Sequence, residues 1–312
     1  MFSAVVHGIY AGDVSKLSIN STFKTLPDME KRSGSLILDL LFASKAMVEE
    51  NSSTSPQAKA FIDTVARSSI YSFKNGMQTL SDALEKKIVE SGVEIIHDTC
   101  VDLDFKDKMQ TIKLFNTNET IFSDHVFSGI PAPSLSCILN DEHQALKKEL
   151  NQIKGVDVGV INLVYKNAKL PVDGFGFLVP KLGDLPVLGV VFDSCSFPPP
   201  NQDLTILTVM IGGHQFEKQF GNIDTVKEEA LLKVASDAVE KSLGISSLCL
   251  VHSNVALQKQ CIPQYHVGHQ DRINKINSLK PSSLSLVGAS YSGVAINDCI
   301  WNARVSAEKF IT

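Results

Sequence analysis

The stretch 284–310, LSLVGASYSGVAINDCIWNARVSAEKF, runs from an apolar segment through a turn bracketed by Gly288 and Gly293 into a helical pattern. A strand that feeds a helix this abruptly belongs to a layered fold, because the helix must pack back onto the sheet that holds the strand. Such a turn has two uses. The commoner one is close packing of helix on sheet. The other is to present the unpaired N–H groups and positive dipole end of the helix to charge on a ligand oxygen.

Upstream, the apolar period changes several times. Residues 1–25 read as irregular, with a turn at YAGD, and Pro27 opens a helical pattern to about Glu50. NSSTSP (51–56) breaks it before a short helix over about 56–67. Met77, Leu80, Leu84, Ile88 and Val89 then mark an amphipathic helix closed by Gly92. VEIIH, CVDLDF, TIKLF and HVFSGIP read as short strands, followed by a helix over 141–152. A second strand run covers 156–165, 174–180, 187–193 and 204–211, with PPPNQD as a surface loop. A helix over 226–243 follows, with Thr225 and Glu228 forming a capping box and Gly244 ending it. A strand near 248–256 leads back to the C-terminal junction. Helices, strands, a strand-rich block and a return to strand–turn–helix describe one domain interrupted by another.

Composition excludes several classes. The 312 residues are 44% hydrophobic and 20% charged, with a formal net charge of -5, so no basic face for nucleic acid is expected. No apolar run approaches the ~18 residues of a membrane span, and no targeting segment is visible. The six cysteines form no CxxC pair, which fits reduced thiols. His266 and His269 are spaced HxxH but have no third ligand at metal spacing, so a packing role is expected. No GxSxG, HExxH, P-loop or Ser–His–Asp set is present.

Two further stretches bear on chemistry. In GFGFLVP (174–180), the glycines around Phe175 leave room for a flat ligand beside an aromatic ring and Leu178, although a bulged core strand explains them equally well. Met210 reads as pocket wall or core filler. In DTCVDLDF (98–105), Val101, Leu103 and Phe105 alternate as a half-buried strand requires.

VHGIYAGDVSKLSI (6–19), YSFKNGMQTL (71–80), LPVDGFGFLVP (170–180), CIPQYHVGH (261–269) and LVGASYSGVAINDCI (286–300) lie in order along nearly the whole chain. Together they resemble the porphyrinogen-oxidising branch of the flavin-containing amine-oxidase superfamily. The resemblance implies an α/β (mixed α+β) fold, a flavin amine-oxidase type FAD-binding domain interrupted by a sheet-plus-helix substrate domain. It divides the chain into 1–50, the remnant of a helical membrane-binding region; 51–129 and 253–312, two parts of the FAD domain; and 130–252, the substrate domain. It implies FAD as cofactor and oxidation of protoporphyrinogen IX to protoporphyrin IX, with oxygen as acceptor, in haem biosynthesis.

Carried over by position, Val101, Gly293, Val294, Ala295 and Ile296 would contact FAD. Phe175, Gly176, Leu178, Val191 and Met210 would line the slot for the tetrapyrrole. No protein acid or base is implied. Peripheral attachment to the mitochondrial inner membrane and a homodimer are implied, with no nucleic-acid partner. The family's opening βαβ unit with GxGxxG has no counterpart here, nor has its propionate-binding arginine, so the chain is expected to be N-terminally truncated and impaired in FAD retention and activity. The alternatives are a non-catalytic porphyrin-binding or dimerisation fragment, and another flavin amine-oxidase relative acting on amines or carotenoids.

Overall fold

The computed structural model describes residues 2–23, 25–42, 72–106 and 109–311. Its elements, in chain order, are α1 (Phe2–Tyr10), α2 (Ile19–Thr22), α3 (Thr25–Ser33), α4 (Leu36–Phe42), α5 (Gln78–Glu90), β1 (Cys100–Phe105), β2 (Gln110–Leu114), β3 (Thr120–Ser123), β4 (Val126–Ser128), α6 (Ala132–Ile138), α7 (Gln144–Leu150), β5 (Gly155–Lys166), β6 (Gly176–Leu178), β7 (Gly189–Val191), α8 (Asp193–Ser196), β8 (Leu204–Gly213), α9 (Phe216–Phe220), α10 (Glu228–Leu243), β9 (Leu250–Pro263), α11 (His269–Leu279), β10 (Leu284–Leu286) and α12 (Ile296–Ile311). The chain forms two compact units, one comprising Met1–Pro27, Val101–Lys113 and Thr120–Thr312, the other Asp28–Cys100 and Leu114–Glu119.

The first unit is built on a five-stranded sheet of order β6-β7-β8-β5-β9, antiparallel throughout. β5 pairs with β8 on one edge and β9 on the other, so its side chains alternate between two faces. On one face Ile161, Leu163, Val190, Leu207, Val209 and Ile211 form a core with α10. Leu231, Ala235, Ala238 and Val239 of α10 recur at i, i+4, i+7 and i+8, the spacing that turns one helical stripe onto a sheet. On the opposite face a smaller cluster of Ala11, Val158 and Leu188 is joined by Val160 and Met210. Elsewhere in the unit, β4 and β10 pair in parallel and β1–β3 form a three-stranded sheet.

The second unit contains α4 and α5, whose exposed Leu84, Ile88 and Val89 lie on the expected amphipathic helix, and Gly92 follows it at φ 83°. Arg32 and Ser33 donate to the Asp39 carboxylate and hold it at about 2, below its ordinary range.

Several expectations change. Residues 1–25 are not irregular: α1 and α2 lie there. Gly8 interrupts the helical pattern of α1, yet a Cβ at that position would stand 2.5 Å from Leu178 Cδ2, so the glycine is what admits the contact with β6. The helical pattern from Pro27 breaks at Gly34, φ 69°; its continuation beyond Phe42 and the segments over 51–56 and 56–67 lie outside the described residues. VEIIH forms no strand. The Asp98 N–H turns back to the Ile96 carbonyl, and its carboxylate collects the N–H groups of Thr99, Asn116 and Thr117, which ties the segment into a turn. Thr225 makes no capping box: α10 starts at Glu228, and the Thr225 hydroxyl donates to the Asn222 carbonyl instead. Gly244 does end α10 in the left-handed region.

Two stability predictions follow from these contacts. Leu231→Ala removes a fully buried side chain between α10 and the sheet and is expected to cost about 2–5 kcal/mol. Urea titration should show a lower midpoint at unchanged slope. The second concerns α1, where His7 is buried with its ring 5.4 Å from that of His214. Burial lowers the affinity of both rings for protons; for His7 the neighbouring His214 and Lys181 lower it further, with Asp13 opposing. The unfolded chain therefore binds more protons than the folded one below the ordinary imidazole value of 6.5, and stability falls as pH drops through that value. Thermal unfolding from about pH 8 to about pH 5 should show this acid loss, flattened in a His7→Gln/His214→Gln variant.

Candidate functional site

The C-terminal junction is a loop held by its carbonyls. The Ala289 carbonyl accepts from the Tyr265 hydroxyl, the Tyr291 carbonyl from the His269 ring at 3.1 Å, and the Ser292 carbonyl from the Asn302 amide. Because a carbonyl only accepts, His269 carries its proton on Nε2, and its ring stacks on Tyr265 at 4.0 Å. The Ser290 hydroxyl oxygen accepts the Ala132 N–H at 3.0 Å. With its carbonyls directed inward, the loop enters α12 at Ile296, and the first N–H groups of that helix have no intrahelical partner. Gly293 sits at φ 80°, and a Cβ there would collide with Asp298 at 2.4 Å, so the tight entry depends on glycine.

A cavity of about 520 Å³ lies beside this turn, between Tyr10, Thr22 and Phe23 on one side and Gly293, Asp298 and Trp301 on the other. The Tyr10 hydroxyl donates to the Thr22 carbonyl at 2.9 Å; burial and the nearby Asp298 push its ionisation upward. Val294, Ala295 and Ile296 follow Gly293 at the start of α12, with Ala295 and Ile296 exposed. Val101 belongs to a different element, β1, and is exposed there. Burial along β1 does not alternate as expected: Leu103 and Asp104 are both buried, because the Asp104 carboxylate is held by the Asn140 amide and Lys106.

The expected slot residues are brought together by strand register. Gly176 pairs with Val191, and Leu178 pairs with Gly189, which in turn pairs with Met210. Directly paired residues share a face, so Gly176, Leu178, Val191 and Met210 line the face opposite the α10 core. Phe175 precedes β6 with its ring mostly exposed and its carbonyl accepting the Phe192 N–H at 2.9 Å. Gly176 has φ 141°, and a Cβ there would fall 2.1 Å from the Val190 carbonyl oxygen. The glycine is therefore required by the β6–β7 pairing itself.

The same face carries polar residues that the motif reading missed. Val191 pairs with Thr208, and Thr208 with Asn162. The Asn162 amide donates to Thr208 Oγ1 at 2.8 Å, and the Thr208 hydroxyl donates to Asp193 Oδ2 at 2.8 Å. Burial pushes the Asp193 carboxyl up, while the Thr208 hydrogen bond holds it back. Period-two alternation was the available signal, since Asp193 and Asn162 share parity with Val191 and Val160.

Comparison with known proteins agrees with this architecture. A family model described as flavin containing amine oxidoreductase matches residues 1–310. Protoporphyrinogen oxidase of Bos taurus is 34% identical over 99% of this chain, and that of Homo sapiens is 35% identical over 97%. The chain spans 64% of the length of each of these relatives. A crystal structure from Exiguobacterium sp. 255-15, described as that of a protoporphyrinogen oxidase, superposes with a TM-score of 0.75 at 20% identity. It covers 99% of this chain and 62% of its own.

Gly174 and Gly176, two residues apart with different surroundings, test the slot wall. Gly176→Ala places a methyl against backbone in a positive-φ conformation and is expected to cost about 1–3 kcal/mol. Gly174→Ala, with open space around its Cβ, is expected to stay within about 0.5 kcal/mol of the parent. Thermal unfolding of the two variants side by side measures the difference.

Proposed function

Since the chain belongs to the flavin containing amine oxidoreductase family, we propose that it carries the substrate face and the closing half of the flavin site of an FAD-dependent protoporphyrinogen oxidase. The observation that carries this reading is the register that sets Gly176, Leu178, Val191 and Met210 on the sheet face opposite the α10 core, with Phe175 at its edge. An apolar wall with small residues suits a large flat macrocycle, whose binding derives mostly from burial of its faces. The start of α12 fits a flavin ring: its first N–H groups and dipole favour an electron-rich carbonyl edge, and Gly293 permits the tight entry into the helix.

Gly293, Val294, Ala295 and Ile296 would hold the ring through main chain, and Val101 the adenine side. When bound, FAD supplies the acceptor for substrate electrons, with oxygen as the final acceptor. The chain's own residues bind and orient the tetrapyrrole and keep its faces out of water.

This reading assigns 130–252 to a substrate domain, 51–129 and 253–312 to the flavin domain, and 1–50 to a helical membrane-binding region. Peripheral attachment to the mitochondrial inner membrane and a homodimer belong to the same proposal. No helix among the described residues is long and apolar enough to cross a membrane.

The test is reconstitution of the purified chain with FAD, followed by protoporphyrin fluorescence after addition of protoporphyrinogen in air. Formation of porphyrin faster than with FAD alone, with KM raised several-fold in Met210→Ala, is the expected result. Porphyrin binding without flavin retention or turnover would instead establish the non-catalytic fragment. Oxidation of amines in place of protoporphyrinogen would establish a different branch of the family.

A further inference from the structure

On the sheet face opposite the α10 core, one polar row crosses β8 and β5 and ends on a carboxylate. Strand alternation sets Val191 on the face opposite the α10 core and Phe192 in that core; β7 ends there, and Asp193, the first residue of α8, is held beside Thr208 by the Thr208 hydroxyl. Thr208 stands directly opposite Val191, and Asn162 directly opposite Thr208. Both hydrogen bonds in the row run the same way, from the Asn162 amide to the Thr208 oxygen and from the Thr208 hydroxyl to Asp193 Oδ2. The chain of donors therefore terminates in an acceptor. The adjacent Ser194 hydroxyl oxygen accepts the Ile206 N–H at 2.6 Å. A carboxylate has roughly four acceptor positions, so the Thr208 bond leaves capacity unused.

We propose that Asp193 is the polar anchor of the slot, its carboxylate accepting hydrogen bonds from the pyrrole N–H groups of a reduced tetrapyrrole. The proposal rests on the reading of this face as a tetrapyrrole slot. Each pyrrole of a porphyrinogen carries an N–H donor, and the flexible ring can turn several of them toward one side. Oxidation converts half of these nitrogens into imines, whose lone pairs face a carboxylate unfavourably, and it flattens the ring. Gly176, Leu178, Val191 and Met210 grip either macrocycle by its faces without telling them apart. The carboxylate makes the distinction, because the flexible reduced ring can turn several N–H donors toward it, whereas the flat oxidised ring keeps only two, held in its own plane. Asp193 thus favours substrate over product beside apolar contacts that are indifferent to oxidation state.

Equilibrium ultrafiltration under anaerobic conditions compares the binding of protoporphyrinogen and protoporphyrin to the full chain. The parent should prefer the reduced ligand by about tenfold, the scale of one charge-assisted hydrogen bond. Asp193→Asn keeps the side-chain shape and an acceptor for Thr208, and should bring the ratio to about one. Thr208→Val removes the orienting donor and should give an intermediate ratio, whereas Met210→Ala should weaken both ligands alike. The ratio is insensitive to the amount of folded protein, so partial unfolding of a variant does not imitate the effect. An unchanged preference in Asp193→Asn overturns the anchor while leaving the slot intact. Failure of the parent to bind either tetrapyrrole overturns the slot and the anchor together.

Discussion

The pairing of β5 along both its edges is the constraint on which the first unit depends. Twelve residues, Gly155–Lys166, hydrogen-bond to β8 on one side and β9 on the other, so the strand cannot slide without breaking both ladders. With a side-chain period of two, a one-residue slip would turn Ile161 and Leu163 to solvent and Val160 and Asn162 into the core. Fixing that register fixes the whole face. Met210 and Thr208 are placed by β5, Gly189 and Val191 by β8, and Leu178 and Gly176 by β7. The apolar wall and its polar row are consequences of one alignment carried across four strands.

The C-terminal turn shows a different economy. Its backbone is specified by what its carbonyls accept: a tyrosine hydroxyl, a histidine N–H and an asparagine amide. These donors come from Tyr265, His269 and Asn302, so the turn is clamped from both its sequence flanks. A clamped turn delivers the first N–H groups of α12 in a fixed direction, which a ligand site at a helix start requires. Pushed upward by burial, the Tyr265 hydroxyl keeps its proton across the physiological range and goes on donating to the Ala289 carbonyl.

How much was legible in the residues depended on whether local pattern or distant contact decided the outcome. β5, β8 and α10 were legible because long apolar periodicity is local and their burial follows it. α1 was not, because Gly8 weakens the helical pattern and only its contact with Leu178 explains it. VEIIH failed for the opposite reason: its apolar content promised a strand, but Asp98 captures the neighbouring N–H groups in a turn. The slot residues were found through resemblance, whereas Asp193, Thr208 and Asn162 carry no motif. Their connection spans separate strands and becomes visible only when register is known.

The sequence by itself determined the long strands β5 and β8 and the helix α10, the helix-ending glycines at Gly92 and Gly244, and the family to which the ordered motifs point. These depend on local backbone preference and on residue order, which a linear string contains. The tertiary structure alone decided which residues share a face, why Gly176 and Gly293 must be glycine, and where the donor chain through Thr208 ends. Those outcomes arise from inter-strand pairing and from close approach of atoms distant in sequence. Their physical cause, a collision or a hydrogen bond between separate segments, does not exist until the chain is folded.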